Sequence, residues 1–266
     1  MTHDRPTLTV AISTRGVRAY GLHAANWPRA VGLDYLVLMQ EAEAEPGLKL
    51  HLEALTVERS DVTIRRLAST GLSRSRNAAL DFAQGEIVLI ADDDVAHPDG
   101  AFDEIRRVFA QDPDLDLLAG RSFTPDGVPR KPAHNRPHRL RLWNSGRISS
   151  HELAFRRARI TAAGIRFDEH FGVGAGTSNF LGEEYIFVAD CLKAGLRGCY
   201  LPFPLSIHPP ESSGFVWEGR AAAQARAGVL ARVFGPWTPL MRVAFAAKNF
   251  RRFETIKDLG VFLLGR

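Results

Sequence analysis

Three acidic side chains stand in a row at Asp92-Asp93-Asp94, directly after the apolar run 86–91 (EIVLIA). In an extended segment Asp92 and Asp94 point the same way and Asp93 points away. Adjacent carboxylates repel one another, and a nearby cation relieves that repulsion. Hard oxygen ligands suit Mg²⁺ or Mn²⁺, ions that in turn suit a diphosphate. The competing reading is a solvated acidic turn before a helix that starts at Pro98. The position after a clean buried strand favours the cation, because ligands of open α/β sheets bind off the C-terminal ends of the strands.

A second pair of carboxylates, Glu183 and Glu184, follows Gly182 at the start of a periodic segment. A helix N-terminus favours anionic side chains, which is the ordinary explanation for such residues. The chemical one is a general base: a glutamate of ordinary pKa is ionised at neutral pH and can take a proton from an attacking hydroxyl. His208 lies in the segment 206–214 (SIHPPESSG), where a lone histidine is either a structural hydrogen-bonder or a metal ligand. In the segment 73–77 (SRSRN), Arg74 and Arg76 diverge on a helix, so one can face a phosphate-binding cleft while the other is solvated.

These residues need a scaffold, and the pattern around them describes one. Runs at 7–13, 34–39, 61–67, 86–91 and 116–119 read as strands, the second and fourth apolar enough to be buried on both faces. A helix is expected from Gly71-Leu72-Ser73, with Ser73 as N-cap and Gly85 as C-cap, and another from Pro98. Leu50 to Val57 reads as a short helix or strand. The alternation over the first 120 residues predicts an α/β fold with a mostly parallel sheet and helices on both faces. Residues 121–147, with Pro125, Pro129, Pro132 and Pro137 among many basic residues, read as a loop region. Ile148 to Phe155 reads as a strand, 171–182 as a glycine-rich flexible segment, and Glu183 to Ala194 as an amphipathic helix. From Glu218 the chain reads as helices broken around Gly235-Pro236 and Pro239.

Together these segments resemble the family 2 glycosyltransferases of the GT-A fold. The resemblance rests on a first strand ending in Ser13-Thr14-Arg15, on GLSRSRNAAL (71–80) followed by GEIVLIADDDV (85–95), on FDEHFGVGAGTSNFLGEEYIFVADCLKAG (167–195) and on IHPPESSG (207–214). It covers most of residues 7–214, and the order and spacing of four motifs is more specific than any one of them. It implies a DxD-type motif holding Mn²⁺ or Mg²⁺ against a nucleoside-diphosphate sugar. Asp92 would contact the ribose or a metal-bound water, and Asp94 would coordinate the ion, with His208 as a further ligand. Ser13, Thr14, Arg15, Arg76 and Asp93 would join Asp92 in binding the nucleotide sugar. Glu184 would be the catalytic base, at a position where the family more often has Asp, and Glu183 the acceptor-contacting residue before it. The family's acidic residue closing the second strand is absent, and Gln40, Glu41 and Asp61 are each able to stand in. The implied reaction is inverting transfer of a sugar to an acceptor hydroxyl of a glycan, polysaccharide or glycolipid. The implied division is a GT-A catalytic domain over 1–214 and a helical extension over 215–266.

Composition bounds these expectations. The 266 residues are 45% hydrophobic and 24% charged, an ordinary balance for a globular protein that excludes disordered, collagen-like and coiled-coil classes. Cys191 and Cys199 are too few to staple the chain and fit a reducing, cytoplasmic setting. The formal charge of +4 is uneven: nine basic residues face three acidic ones from Phe215 onward, leaving the rest of the chain at −2. A nucleic-acid partner is not expected from that division. In the tail, Phe245, Phe250, Phe253 and Phe262 interleave with Lys248, Arg251, Arg252 and Lys257, a mixture suited to peripheral contact with an anionic membrane. The competing reading is a helix packed on the catalytic domain with basic residues outward. Among other functions, a sugar nucleotidyltransferase would want a glycine-rich basic loop after the first strand, which Thr14-Arg15-Gly16 matches poorly. A DxDx[TV] phosphatase would need its aspartates on another strand. A non-catalytic nucleotide-sugar or glycan-binding module would not need both the acidic cluster and Glu184.

Overall fold

A computed structural model describes residues 5–43, 45–57, 59–131, 135–210 and 217–265. The expectations that concern the first four residues, Pro132, residues 211–214 of the IHPPESSG segment and the boundary at 214/215 lie outside the described residues.

Among the described residues eight strands form one mixed sheet in the order β3-β2-β1-β4-β7-β5-β8-β6. They are β1 (Leu8–Arg15), β2 (Leu33–Gln40), β3 (Val62–Leu67), β4 (Ile87–Asp92), β5 (Leu117–Phe123), β6 (His138–Arg139), β7 (Leu153–Arg156) and β8 (Gly198–Ile207). The β3-β2-β1-β4 half and the β5-β8 pair are parallel. β7 runs antiparallel between β4 and β5, and β6 pairs antiparallel with β8. The described residues also form eight α-helices: α1 (Pro46–Thr56), α2 (Leu72–Phe82), α3 (Ala101–Gln111), α4 (Arg157–Ala162), α5 (Glu183–Lys193), α6 (Gly219–Phe234), α7 (Thr238–Asn249) and α8 (Ile256–Leu264). Val10, Val37 and Leu89 face one layer with Leu48 and Leu52 of α1 and Ile105 and Phe109 of α3. Ala11, Leu36 and Ile90 face the other, with Ala79 and Leu80 of α2 and Phe187 and Val188 of α5. Burial on both faces is why these strands read as continuous apolar runs rather than alternating ones.

Several local expectations shift. The 50–57 segment is the C-terminal part of α1, opened by Pro46 at its first turn. α2 has Gly71, not Ser73, at its N-cap, and its C-cap is Ala83, not Gly85. Ser73 lies inside the first turn and donates to the Phe171 carbonyl at 2.7 Å. Gly85 serves close approach instead: a Cβ there would lie 2.6 Å from the backbone nitrogen of Thr9. α3 starts at Ala101 rather than Pro98, and the expected 148–155 strand is a 3-10 turn over Ser150–Glu152 followed by β7. The 121–147 segment contains the two-residue β6.

The tail is helical and packs on the sheet-bearing part. Val229 and Ala225 of α6 join Phe171, Leu181, Ile186 and Ala189 in one apolar cluster. Gly182, in the left-handed region at φ 88°, accepts this: a Cβ there would lie 2.4 Å from a Val229 methyl. The tail aromatics do not form one outward set. Phe262 is buried, Phe245 and Phe253 are partly buried around it, and Trp217 lies 5.9 and 6.0 Å from the latter two rings. Phe250 alone of the four is exposed. No helix among the described residues is long and apolar enough to cross a membrane.

Candidate functional site

β1 and β4 lie side by side in parallel register, which sets Ser13 beside Asp92 at their C-terminal ends. Ser13 is buried and its hydroxyl accepts from Ser75 of α2 at 2.8 Å. The next residue, Thr14, donates its hydroxyl to Asp93 at 2.8 Å. Arg15 turns outward and pairs with Glu41 at 2.6 Å. Just beyond, the 3-10 turn over Gly16–Gly21 brings Arg18 onto Asp93, and the same guanidinium donates to Asp94 at 3.0 Å. The opposite oxygen of Asp94 lies 3.5 Å from Nε2 of His208. The His208 ring stacks on His151 with centroids 4.7 Å apart, and His151 in turn contacts the Ser206 hydroxyl through Nδ1 at 2.8 Å. Burial, then the cations and imidazole nearby, hold the His151 pKa well below its ordinary value, so the ring is neutral.

Behind this rim lies a buried centre around Arg76. Its guanidinium donates to Glu183 at 2.7 Å and to the Ser150 hydroxyl at 2.7 Å. It also sits 3.5 Å from Asp92 and 3.8 Å from Glu184. Burial pulls the Arg76 pKa down, but the three carboxylates outweigh it and the net shift is upward. One cation thus faces three acids, and the acids respond. Burial, helped by Glu184 and opposed by Arg76, pushes Glu183 up to about 7. Burial also raises Asp92, whose Oδ1 is enclosed without a hydrogen-bond partner among the described residues.

The N-terminus of α5 delivers Glu183 and Glu184 because the glycine-rich segment before it folds tightly. Gly172, at φ 98°, lies so close to Glu183 that a Cβ would approach its carboxyl carbon to 2.8 Å. The same segment docks on α2, with the Leu72 amide donating to the Val173 carbonyl at 2.9 Å. Glu183 ends up buried, facing Arg76 rather than an open cleft, whereas Glu184 stays partly exposed.

The sequence-predicted residues therefore fall into two sets. Asp92, Glu183 and Glu184 converge on Arg76, while Asp93, Asp94, Thr14 and His208 line the rim. Ser13 is Asp92's neighbour in the sheet and bonds to Ser75, the residue before Arg76, and Arg15 lies outside both sets. Among the described residues no group of three or more His, Cys, Asp and Glu side chains is gathered closely enough to hold a metal. Asp92, Asp94 and His208 are thus not a ready-made three-ligand cage: Asp92 is turned to Arg76, and Arg18 lies against Asp94. The candidates for the second strand's acidic residue are all engaged. Gln40 donates to the Ser69 and Gly71 carbonyls, Glu41 pairs with Arg15 and Asp61 with Arg59.

Sequence reasoning missed Arg18, Ser150 and His151. No pattern singles out Arg18, one of several exposed arginines. Arg76, by contrast, carried a readable signal for burial, since it lies three and seven residues before Ala79 and Ala83 on the apolar face of α2.

Residues 46–170 match the family described as Glycosyl transferase family 2. That span contains Arg76 and the 92–94 triplet, while β1, Glu183, Glu184 and His208 lie outside it. No curated protein matches the chain. Among solved structures, TarS of S. aureus superposes with a TM-score of 0.64 at 14% identity, covering 93% of this chain and 44% of that one. The chain thus spans less than half the length of that TarS chain. TarS 1–349 in complex with UDP-GlcNAc gives 0.64 at 14% identity, covering 97% and 79%. The mannosyltransferase PcManGT from Pyrobaculum calidifontis, in complex with GDP-Man and Mn²⁺, gives 0.57 at 17% identity, covering 98% and 69%. At such identities the likeness is one of fold.

Proposed function

From the premise that this chain is a family 2 glycosyltransferase of the GT-A fold, we propose that it moves a sugar from a nucleoside-diphosphate sugar to an acceptor hydroxyl with inversion. Glu184 is the general base and the 92–94 rim is the diphosphate end of the site. The carrying observation is that Asp92 and Glu184, from elements far apart in sequence, both reach one buried guanidinium at 3.5 and 3.8 Å. A base and a donor-side carboxylate fixed to the same rigid group are held in constant relation to each other. The nucleotide sugars in the TarS and PcManGT structures support the donor class. The acceptor is a carbohydrate or glycolipid.

The acceptor oxygen attacks the anomeric carbon from the face opposite the diphosphate. Its proton passes to Glu184, and the bond between the anomeric carbon and the diphosphate oxygen breaks, releasing nucleoside diphosphate. On this reading Ser13, Thr14 and Asp93 belong to the nucleotide side of the site, and Arg15, paired with Glu41 outside both sets, would reach the nucleotide only by leaving that pair. Glu183 is a positioning residue: its buried pairing with Arg76 fixes the first turn of α5, and with it Glu184. Arg76 supplies positive charge behind Asp92 without leaving the interior. The donor set fits a divalent ion, because Asp94 lies within 3.5 Å of His208, and Asp92 Oδ1, though it faces Arg76, accepts no hydrogen bond among the described residues. Mn²⁺ or Mg²⁺ held there by Asp94, His208 and Asp92 would supply positive charge for the departing diphosphate. We read 1–214 as the catalytic domain and 215–266 as an extension whose α6 packs on Ile186 and Ala189 of α5, the helix that carries the base.

Release of nucleoside diphosphate from a panel of UDP- and GDP-sugars, with and without chelator, tests the reading. Transfer is expected to need the ion and to fall about 10²–10⁴-fold in Glu184→Gln. Full activity in that variant removes the base assignment. Full activity in chelator removes the metal, and absence of donor turnover together with tight donor binding favours a binding module.

A further inference from the structure

α7 is apolar on the side that faces water. A helix packed on a domain normally buries its apolar stripe and shows solvent a polar one. The inward sector of α7 carries Thr238, Arg242, Phe245 and Ala246, and Arg242 donates to the Ala227 carbonyl of α6 at 3.0 Å. The outward sector carries Leu240, Val243, Ala244 and Ala247 at intervals of three and four, with Trp237 before them and Phe250 after. Trp237 is 67% exposed, Leu240 61%, Val243 59% and Phe250 61%. An exposed apolar stripe that runs the length of a helix marks an interaction surface rather than ordinary surface scatter.

The charges beside the stripe are of one sign. From Trp237 to Arg252 the chain has no acidic residue, and Arg242, Lys248, Arg251 and Arg252 are all cationic. Lys248 and Arg251 follow Ala244 and Ala247 by four residues, on the stripe's own sector at its C-terminal end. Both are exposed, and neither has an ion-pair partner among the described residues. Arg252 lies over the Trp217 ring at 5.0 Å, which fixes the basic corner to the body of the tail.

We propose that the outward face of α7 is a docking surface for an anionic lipid bilayer. The helix would lie in the plane of the interface, with Trp237, Leu240, Val243 and Phe250 below the headgroups and Lys248 and Arg251 at their level. The pairing of an aromatic and aliphatic stripe with basic residues is the chemistry of an interfacial helix. Each basic residue near an anionic surface adds attraction that falls within a Debye length. A second copy of the chain fits less well, because the face it would present from Trp237 to Arg252 holds no acidic residue, so a two-fold contact would leave Lys248 and Arg251 without an anionic partner. The stripe is assembled from residues different from the Phe245–Phe253–Phe262 group, which is spent on the tail's interior.

The test uses the full chain with phosphatidylcholine vesicles, with and without phosphatidylglycerol, read by co-sedimentation. Binding is expected with the anionic vesicles at low salt, weaker on the neutral ones and weaker as salt rises. The double substitution Leu240→Asp and Val243→Asp is expected to lower bound protein about tenfold or more, since it exchanges apolar burial for charge repulsion. Lys248→Glu with Arg251→Glu is expected to weaken binding and flatten its salt dependence. Leu50→Asp, at an exposed leucine of α1, controls for general loss of an apolar group and is expected to bind normally. Donor turnover in solution by the Leu240/Val243 variant separates a failure here from a failure of the transferase reading. Wild-type protein that stays in the supernatant with anionic vesicles overturns the proposal, as does undiminished binding by the double aspartate variant. A concentration-dependent dimer lost in that variant, without vesicle binding, overturns it in favour of a second copy.

Discussion

Two arginines meet the acidic triplet from opposite sides, and they sit in opposite media. Arg76 is 2% exposed at its side chain and faces Asp92, Glu183 and Glu184. Arg18 is 59% exposed and faces Asp93 and Asp94. The same pair of residue types performs different work in the two places. In the interior the attraction is strong but follows a large desolvation cost, so a lost partner leaves uncompensated charge and the assembly holds as a unit. On the rim, water and salt screen Arg18 and Asp94, so that pair exchanges readily, while the buried Asp93 side chain is held by Thr14 as well. The interior fixes where Asp92 and Glu184 stand, and the rim is left open to a ligand.

The comparison breaks first if the interior can be dismantled without consequence. Arg76→Met keeps the length of the side chain but leaves three acids facing one another behind β4. Removing one partner of a buried charge group costs about 3–5 kcal/mol. Thermal melting should therefore show a large loss of stability or no folded protein. A variant that melts like the wild type would mean that the carboxylates are not tied through this residue. A smaller effect is expected from Gly172→Ala. The left-handed backbone at φ 98° and the contact with the Glu183 carboxyl both resist a methyl group. Strain of that kind costs about 1–2 kcal/mol. It should appear in the melting temperature and, because Glu183 must shift, in a lower kcat with donor affinity kept.

Much of this interior is legible in the sequence, and the reasons are physical. β4 announces itself through an unbroken apolar run that ends at Asp92, and α5 through Ile186, Val188 and Ala189 after two acids. The parallel sheet follows from the alternation of strands and helices. What escapes is partnership across long separations, which no local pattern encodes. Arg76 meets Glu183 107 residues away, and Thr14 meets Asp93 79 residues away. Ser73 looked like a cap because its type suits one, yet its hydroxyl is taken by the Phe171 carbonyl. The tail misleads differently. α7 is apolar nearly all round, so periodicity alone does not say which side turns inward, and Phe245 proves partly buried against Phe262 of α8 while Leu240 and Val243 are exposed.

A milder probe sharpens the interior's electrostatics. Glu183 has its pKa raised from 4.5 to about 7, chiefly by burial and then by Glu184. The folded chain thus holds this proton more tightly than the unfolded chain does. Its contribution favours folding at low pH and is lost as pH rises from about 4.5 through 7. A single group of this kind changes stability by at most about 1.4 kcal/mol per pH unit. In Glu183→Gln the fall in melting temperature across that window should flatten. An unchanged slope would assign the titration to another group.

The smallest expected effect on stability lies at the rim, and it is the one that separates the two arginines most cleanly. Arg18→Ala deletes contacts to two carboxylates, Asp93 and Asp94, against the three that Arg76 faces. Arg18 itself is largely in water, where ion pairs are worth about 0–1 kcal/mol, and Asp93, whose side chain is buried, keeps the Thr14 hydroxyl, so melting should move far less than in Arg76→Met. The consequence belongs to ligand binding instead. With Arg18 absent, Asp94 loses its hydrogen-bonded cation and keeps His208 at 3.5 Å, and the local negative charge rises by one unit. A unit charge a few ångströms away at a screened surface is worth about 1 kcal/mol or more. Calorimetric titration of Mn²⁺ should then show affinity several-fold higher, on the order of that energy, while stability stays near wild type. Weaker Mn²⁺ binding, or a loss of stability comparable with that of Arg76→Met, would show that the rim arginine is a structural member after all and that burial is not what divides the two sites.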